Sequence, residues 1–184
     1  RLWREFPGLI PGMNLQSNDF ELFELPLAYA LDRSVLDERW KVLQREVHPD
    51  RHAAADAQTQ RQAMQWSVRI NEAYQRLKDP LQRAAYLCEL HGAPVQAENN
   101  TAMPPAFLMQ QMEWREALEE AASAAVVEDL ADEVASARKR MLAQLQQTAD
   151  VQHDWPALAG QVRALMFIER FARDVESRLE QLGQ

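Results

Sequence analysis

Leu36 to Asp50 reads LDERWKVLQREVHPD. Leu36, Trp40, Leu43 and Val47 recur at spacings of four, three and four, the pattern of one apolar face of an α-helix. Pro49 disfavours helical geometry at His48, so the helix is expected to end there. His48, Pro49 and Asp50 then open a turn of about ten residues. In such a turn the proline stiffens the chain and the two polar side chains lie outside the helical ladder. A short rigid polar tripeptide loses little entropy when a partner takes it up. A His-Pro-Asp run by itself is also what any loop can contain, so its meaning depends on what flanks it.

Downstream, Ala63, Trp66, Ile70, Ala73 and Leu77 repeat at three and four, predicting a helix from about Thr59 to Lys78. It closes with INEAYQRL, Ile70 to Leu77. Asp79 and Pro80 then read as an N-cap and a first helical position, and Gly92 as the end of the helix they start. Upstream, Asn18 to Phe23 reads as a short capped helix ending near Pro26, and Ser34 is the expected cap of the helix through Leu36.

This order resembles the J-domain family: short helix, long helix, His-Pro-Asp loop, long helix ending in Asn71-Glu72-Ala73-Tyr74, then Asp79-Pro80-Leu81-Gln82-Arg83-Ala84-Ala85-Tyr86. The resemblance implies an antiparallel helix hairpin whose loop docks on a heat-shock-70-class chaperone and stimulates its ATPase. His48 and Pro49 would shape the loop, and Asp50 would meet a basic group of the partner. Arg39, Lys41, Arg45 and Arg51 would add positive charge toward an acidic ATPase surface, although ordinary solvation of a helix face also explains them. Val47 stands where the family often has an aromatic residue, and Glu46 reduces the positive field. Both departures point to a dedicated partner rather than a general-purpose one.

Gly92 to Pro105 holds three prolines and an Asn pair without apolar periodicity, so residues 92–104 are expected to be a linker between a J domain at 13–91 and a C-terminal domain at 105–184. Three amphipathic patterns follow, near 105–122, 126–148 and 155–182, which predict a three-helix bundle in an all-α protein. With AAYLCELHG at 84–92, AFLMQQMEWREALEE at 106–120 and VRALMFIERF at 162–171, nearly the whole chain resembles the HscB family, the J-type co-chaperones of iron–sulfur cluster biogenesis. That resemblance implies an L-shaped two-domain arrangement. It implies a bundle that binds an IscU-type cluster scaffold, and a J domain that delivers it to an HscA-type chaperone. Matched residue by residue, the apolar contacts would be Leu108, Met109, Met112 and Phe167, rimmed by Glu113, Arg115 and Glu116. Phe167 lies one step off the stripe through Ile168, so it is expected as an exposed anchor. Bundle residues of this kind are also commonly core, and a J protein with a different client remains the alternative.

The charge of −8 sits mainly at 105–184, where 8 Lys and Arg face 14 Asp and Glu. This argues against nucleic acid or an anionic membrane as the main partner. One cysteine, Cys88, permits no internal disulfide and fits a reducing, cytoplasmic setting. No run approaches the ~20 apolar residues of a membrane span. His48 and His52 have i, i+4 spacing, but Pro49 interrupts it, and no zinc pattern or phosphate-binding glycine loop occurs. Neither a metal, a cofactor nor a catalytic residue is therefore expected; no nucleophile accompanies His48 and Asp50. Arg1 to Gly12 reads as an expression leader ahead of a natural start at Met13, or alternatively as a short natural tail.

Overall fold

The computed structural model describes residues 13–183; the leader expected over 1–12 lies outside the described residues. The chain divides into two compact units, one ending at Arg83 and the other beginning at Ala84. Among the described residues every regular element is helical.

In the first unit, α1 (Asp19–Leu22) is capped by the Asn18 side chain, which accepts the Glu21 amide. α2 (Arg33–Val47) is capped two residues ahead of the expected position. Asp32 accepts the amides of Ser34 and Val35, and the Ser34 hydroxyl donates to the same carboxylate at 2.6 Å. Asp and Ser are comparable caps by residue type, and here the backbone places the Asp32 carboxylate over the free amides. α2 ends at Val47, followed by a single 3-10 turn over Pro49–His52 and then α3 (Ala57–Lys78), capped by Asp56.

α2 and α3 pair antiparallel. Trp40 stacks on Tyr74 at 4.6 Å, its Nε1–H donates to Asn71, and Gln44 reaches both Asn71 and the Ser67 carbonyl. The buried seam joins Leu36, Leu43 and Val47 to Ala63, Trp66, Ile70, Ala73 and Leu77, as the spacing predicts; only Trp40 of that set stays half-buried. Phe20, Leu22 and Phe23 complete the core. Buried Asp19 ties α1 to α3 through Arg69 at 2.8 Å and Arg76 at 2.7 Å.

The division between units falls inside α4 (Pro80–Leu90), not after it. The helix begins as expected, with Asp79 accepting the amides of Leu81 and Gln82. It ends in a Schellman arrangement: Gly92 at φ +76°, its N–H on Glu89 O, and the Ala93 N–H on Cys88 O. The second half of α4 packs with the bundle elements. Cys88 is fully buried with its Sγ 3.9 Å from the Trp155 carbonyl, and His91 stacks on Trp155 at 3.7 Å.

Residues 92–104 are not a free linker. Arg163, itself buried, donates to Ala102 O at 2.6 Å and Val95 O at 2.8 Å, and Val95 is buried. The bundle proper is α5 (Pro105–Glu120), α6 (Ala124–Gln146) and α7 (Trp155–Leu182). α6 runs on as a wider π segment over Gln147–Val151, where Thr148 and Ala149 are buried and the Thr148 hydroxyl donates to Gln144 O. Asp154 caps α7 by accepting the Ala157 amide.

Candidate functional site

The first site is the His48-Pro49-Asp50 turn. His48 leaves the helix at φ −56°, ψ +131°, the extended geometry a following proline imposes. Its Nδ1 then accepts the Asp50 amide at 3.2 Å, which requires the proton of the neutral ring to sit on Nε2. His52 closes the turn from the other side with Nε2 2.8 Å from Glu46 O. These bonds hold the backbone and leave both polar side chains open to water: the Asp50 side chain is 94% exposed and that of His48 54%. The site is a stiffened display of one carboxylate and one imidazole. The two side chains come within 3.7 Å of each other.

The basic residues expected beside the turn divide into two kinds. Lys41 and Arg45 are exposed on one face of α2, Lys41 3.5 Å from Glu38. Arg51 pairs with Glu46 at 3.0 Å, so Glu46 offsets the field at the turn as its position in the sequence suggests. Arg39 is a correction. Its guanidinium donates to the carbonyls of Phe23 and Glu24 at 2.6 and 2.7 Å, satisfying the chain end that follows α1, so these bonds hold it on the fold.

The second site is on α5. Phe107, Trp114 and Ala121 recur every seven residues and are buried. Everything half a turn away from them faces out. Leu108, Met109 and Met112 are 43, 67 and 73% exposed, and Glu113, Arg115 and Glu116 surround them as exposed residues. Three large apolar side chains left in water on adjacent turns form a patch of the kind used for association, and two of the three are adaptable methionines.

Phe167 is the second correction: it is 5% exposed. It lies one residue from the Ile168 stripe, roughly 100° around α7, a displacement that predicts exposure only where a helix packs on one face. α7 is buried on more than one side, and the displaced ring enters a second cluster. Phe167 lies edge-on to Phe107 at 5.8 Å and stacked on Phe171 at 5.7 Å; Phe171 stacks in turn on Trp114 at 5.8 Å. Trp114 Nε1–H donates to Glu133 of α6 at 3.1 Å. This cluster fixes the roll of α5 and hence which of its residues face out. Its sequence signal was the seven-residue repeat of Phe107, Trp114 and Ala121.

Cys88 is buried and desolvation pushes its thiol up to about 12, the character of a packed side chain rather than a ligand. Among the described residues no group of three His, Cys, Asp or Glu side chains comes together to hold a metal ion, and no helix is long and apolar enough to cross a membrane.

Comparison with known proteins finds relatives along nearly the whole chain. Residues 103–176 match the family model described as the HSCB C-terminal oligomerisation domain. A co-chaperone protein HscB homolog of Burkholderia thailandensis is 50% identical over 173 residues, spanning 92% of this chain and 98% of that protein. Among solved structures, chaperone HscB from Vibrio cholerae superposes with a TM-score of 0.74 at 40% identity, covering 90% of this chain and 99% of that one. Human co-chaperone protein HscB shares the fold, with a TM-score of 0.81 at 24% identity over 94% of this chain and 86% of that one. With the His-Pro-Asp turn on its helix hairpin, the exposed apolar stripe on its helical bundle, and half its residues shared with a relative along nearly its full length, the chain belongs to the HscB family of J-domain co-chaperones.

Proposed function

We propose that the chain is a two-site adaptor of iron–sulfur cluster biogenesis. Through His48, Pro49 and Asp50, with Lys41, Arg45 and Arg51 alongside, it engages an HscA-type heat-shock-70-class chaperone and stimulates its ATPase. Through Leu108, Met109 and Met112, rimmed by Glu113, Arg115 and Glu116 and backed by the edge of Phe167, it holds an IscU-type scaffold protein. The observation that carries the reading is the exposed stripe of Leu108, Met109 and Met112 in a chain whose other unit displays a nearly bare Asp50 carboxylate. Holding the client and engaging the chaperone through one chain raises the client's effective concentration at the ATPase. Hydrolysis then traps it.

The test uses the host's own chaperone and scaffold. Asp50→Asn should abolish ATPase stimulation while calorimetric scaffold affinity stays at the wild-type value. Leu108→Ala/Met112→Ala should weaken scaffold binding by about 2 kcal/mol or more, roughly thirtyfold, and retain stimulation measured without scaffold. Equal loss of both activities in each folded variant would defeat the two-site division. Full stimulation with no scaffold binding by the wild-type protein would instead assign the bundle to a different client.

A further inference from the structure

We infer that a pocket between α5, α6 and α7 binds a small carboxylate whose hydrocarbon body ends in a neutral O–H or N–H donor. The pocket has a volume of about 250 Å³ and lies wholly within the second unit. Ala106, Phe107 and Gln110 line it from α5. At roughly 100° per residue, these three centre opposite to Leu108, Met109 and Met112. The pocket and the exposed stripe therefore occupy different sides of the helix, and the inference is independent of the two-site reading above.

One group in the pocket is out of balance. Gln161 of α7 lines it, and the Gln161 Oε1 is buried with no hydrogen-bond donor among the described residues. A buried acceptor without a donor weighs against the folded state, and such atoms are nearly always paired in folded proteins. Water also donates, so the rest of the lining decides the occupant. Arg140 of α6 stands in the lining, exposed and with no ion pair among the described residues. No Asp or Glu lines the pocket. A guanidinium with no counter-charge selects an anion, and a carboxylate matches its fork.

Between these two polar ends lie Pro104, Phe107, Ala137 and Met141. They give a hydrocarbon body contacts that water cannot make. An ammonium group would lose its hydration and find no carboxylate in return, so the donor that meets Gln161 is a neutral hydroxyl or amide N–H. At about 30 Å³ per liquid water the space equals roughly eight waters, room for a molecule of about ten non-hydrogen atoms.

The probe is para-hydroxyphenylacetate, titrated into the full chain and followed by backbone amide chemical shifts. It should bind with a dissociation constant on the order of 1 mM, with the largest shifts around Phe107, Arg140, Met141 and Gln161. Phenylacetate, which lacks the hydroxyl, should bind about two- to tenfold more weakly. Tyrosol, the corresponding alcohol without the charge, should bind about two- to fivefold more weakly. Gln161→Met keeps the side-chain length and removes the acceptor. It should make the two acids bind alike and leave the unliganded protein at least as stable to heat. Arg140→Ala should make the acid and the alcohol bind alike. Absence of shifts at about 10 mM of either acid leaves the pocket to water and overturns the proposal. Shifts centred elsewhere overturn it too, as do equal binding of the two acids by the wild type and a hydroxyl advantage that persists in Gln161→Met. A marked fall in melting temperature on Gln161→Met would show that the oxygen already has its donor. Equal binding of acid and alcohol by the wild type overturns the carboxylate.

Discussion

Asp19 has no exposed surface, yet Arg69 and Arg76 both point at it, and Arg69 also donates to the carbonyls of Leu15 and Ser17. Removing the carboxylate leaves two cations facing an apolar core. Asp19→Ala should lower stability by about 3 kcal/mol in urea unfolding monitored by circular dichroism. A change under 1 kcal/mol would mean that water reaches the arginines unaided. Nothing in the sequence marked Asp19, since one acidic residue in a short helix looks like any other. Cys88 was legible, because it stands among apolar residues of an amphipathic helix. Its thiol holds its proton more tightly folded than unfolded, with a folded value of about 12. That contribution is present below the ordinary thiol value and disappears as pH rises from there toward 12. Folded protein should resist iodoacetamide at pH 8 and react only when unfolded; rapid labelling under native conditions would place Cys88 at the surface.

Helix ends separate what local chemistry decides from what it does not. Gly92 was readable as the stop of α4, and at φ +76° it needs the freedom that only glycine has cheaply. Nothing would touch an added Cβ there, so Gly92→Ala isolates backbone strain from packing. It should cost about 1 kcal/mol in thermal unfolding. A neutral or stabilising effect would show that the turn relaxes. The cap of α2 falls at Asp32, two residues ahead of Ser34, because both residue types suit the role and only geometry chooses between them. The wide turn after α6 had no signal at all. Thr148 and Ala149 are buried in it, and burial against a neighbour is a tertiary fact.

At the scale of the molecule, the segment 92–104 and the end of α4 belong with the bundle, held by Arg163, Cys88 and Trp155. A fragment beginning at Ala84 should therefore unfold cooperatively. One beginning at Pro105 loses Leu87, Cys88 and Val95 from the core and both carbonyls that satisfy Arg163. It should be less stable by about 3 kcal/mol or more; equal stability of the two fragments would show those contacts to be dispensable. What the sequence determined by itself was everything carried by near neighbours: helix periods, the proline break, the His-Pro-Asp display, and the apolar residues along α5. Those depend on spacings of three and four and on one residue's backbone limits. Tertiary structure alone decided which side of α5 and α7 faces water. Phe167 and Met112 are equally apolar in the sequence, and only the ring cluster of Phe107, Trp114 and Phe171 buries the one and leaves the other exposed.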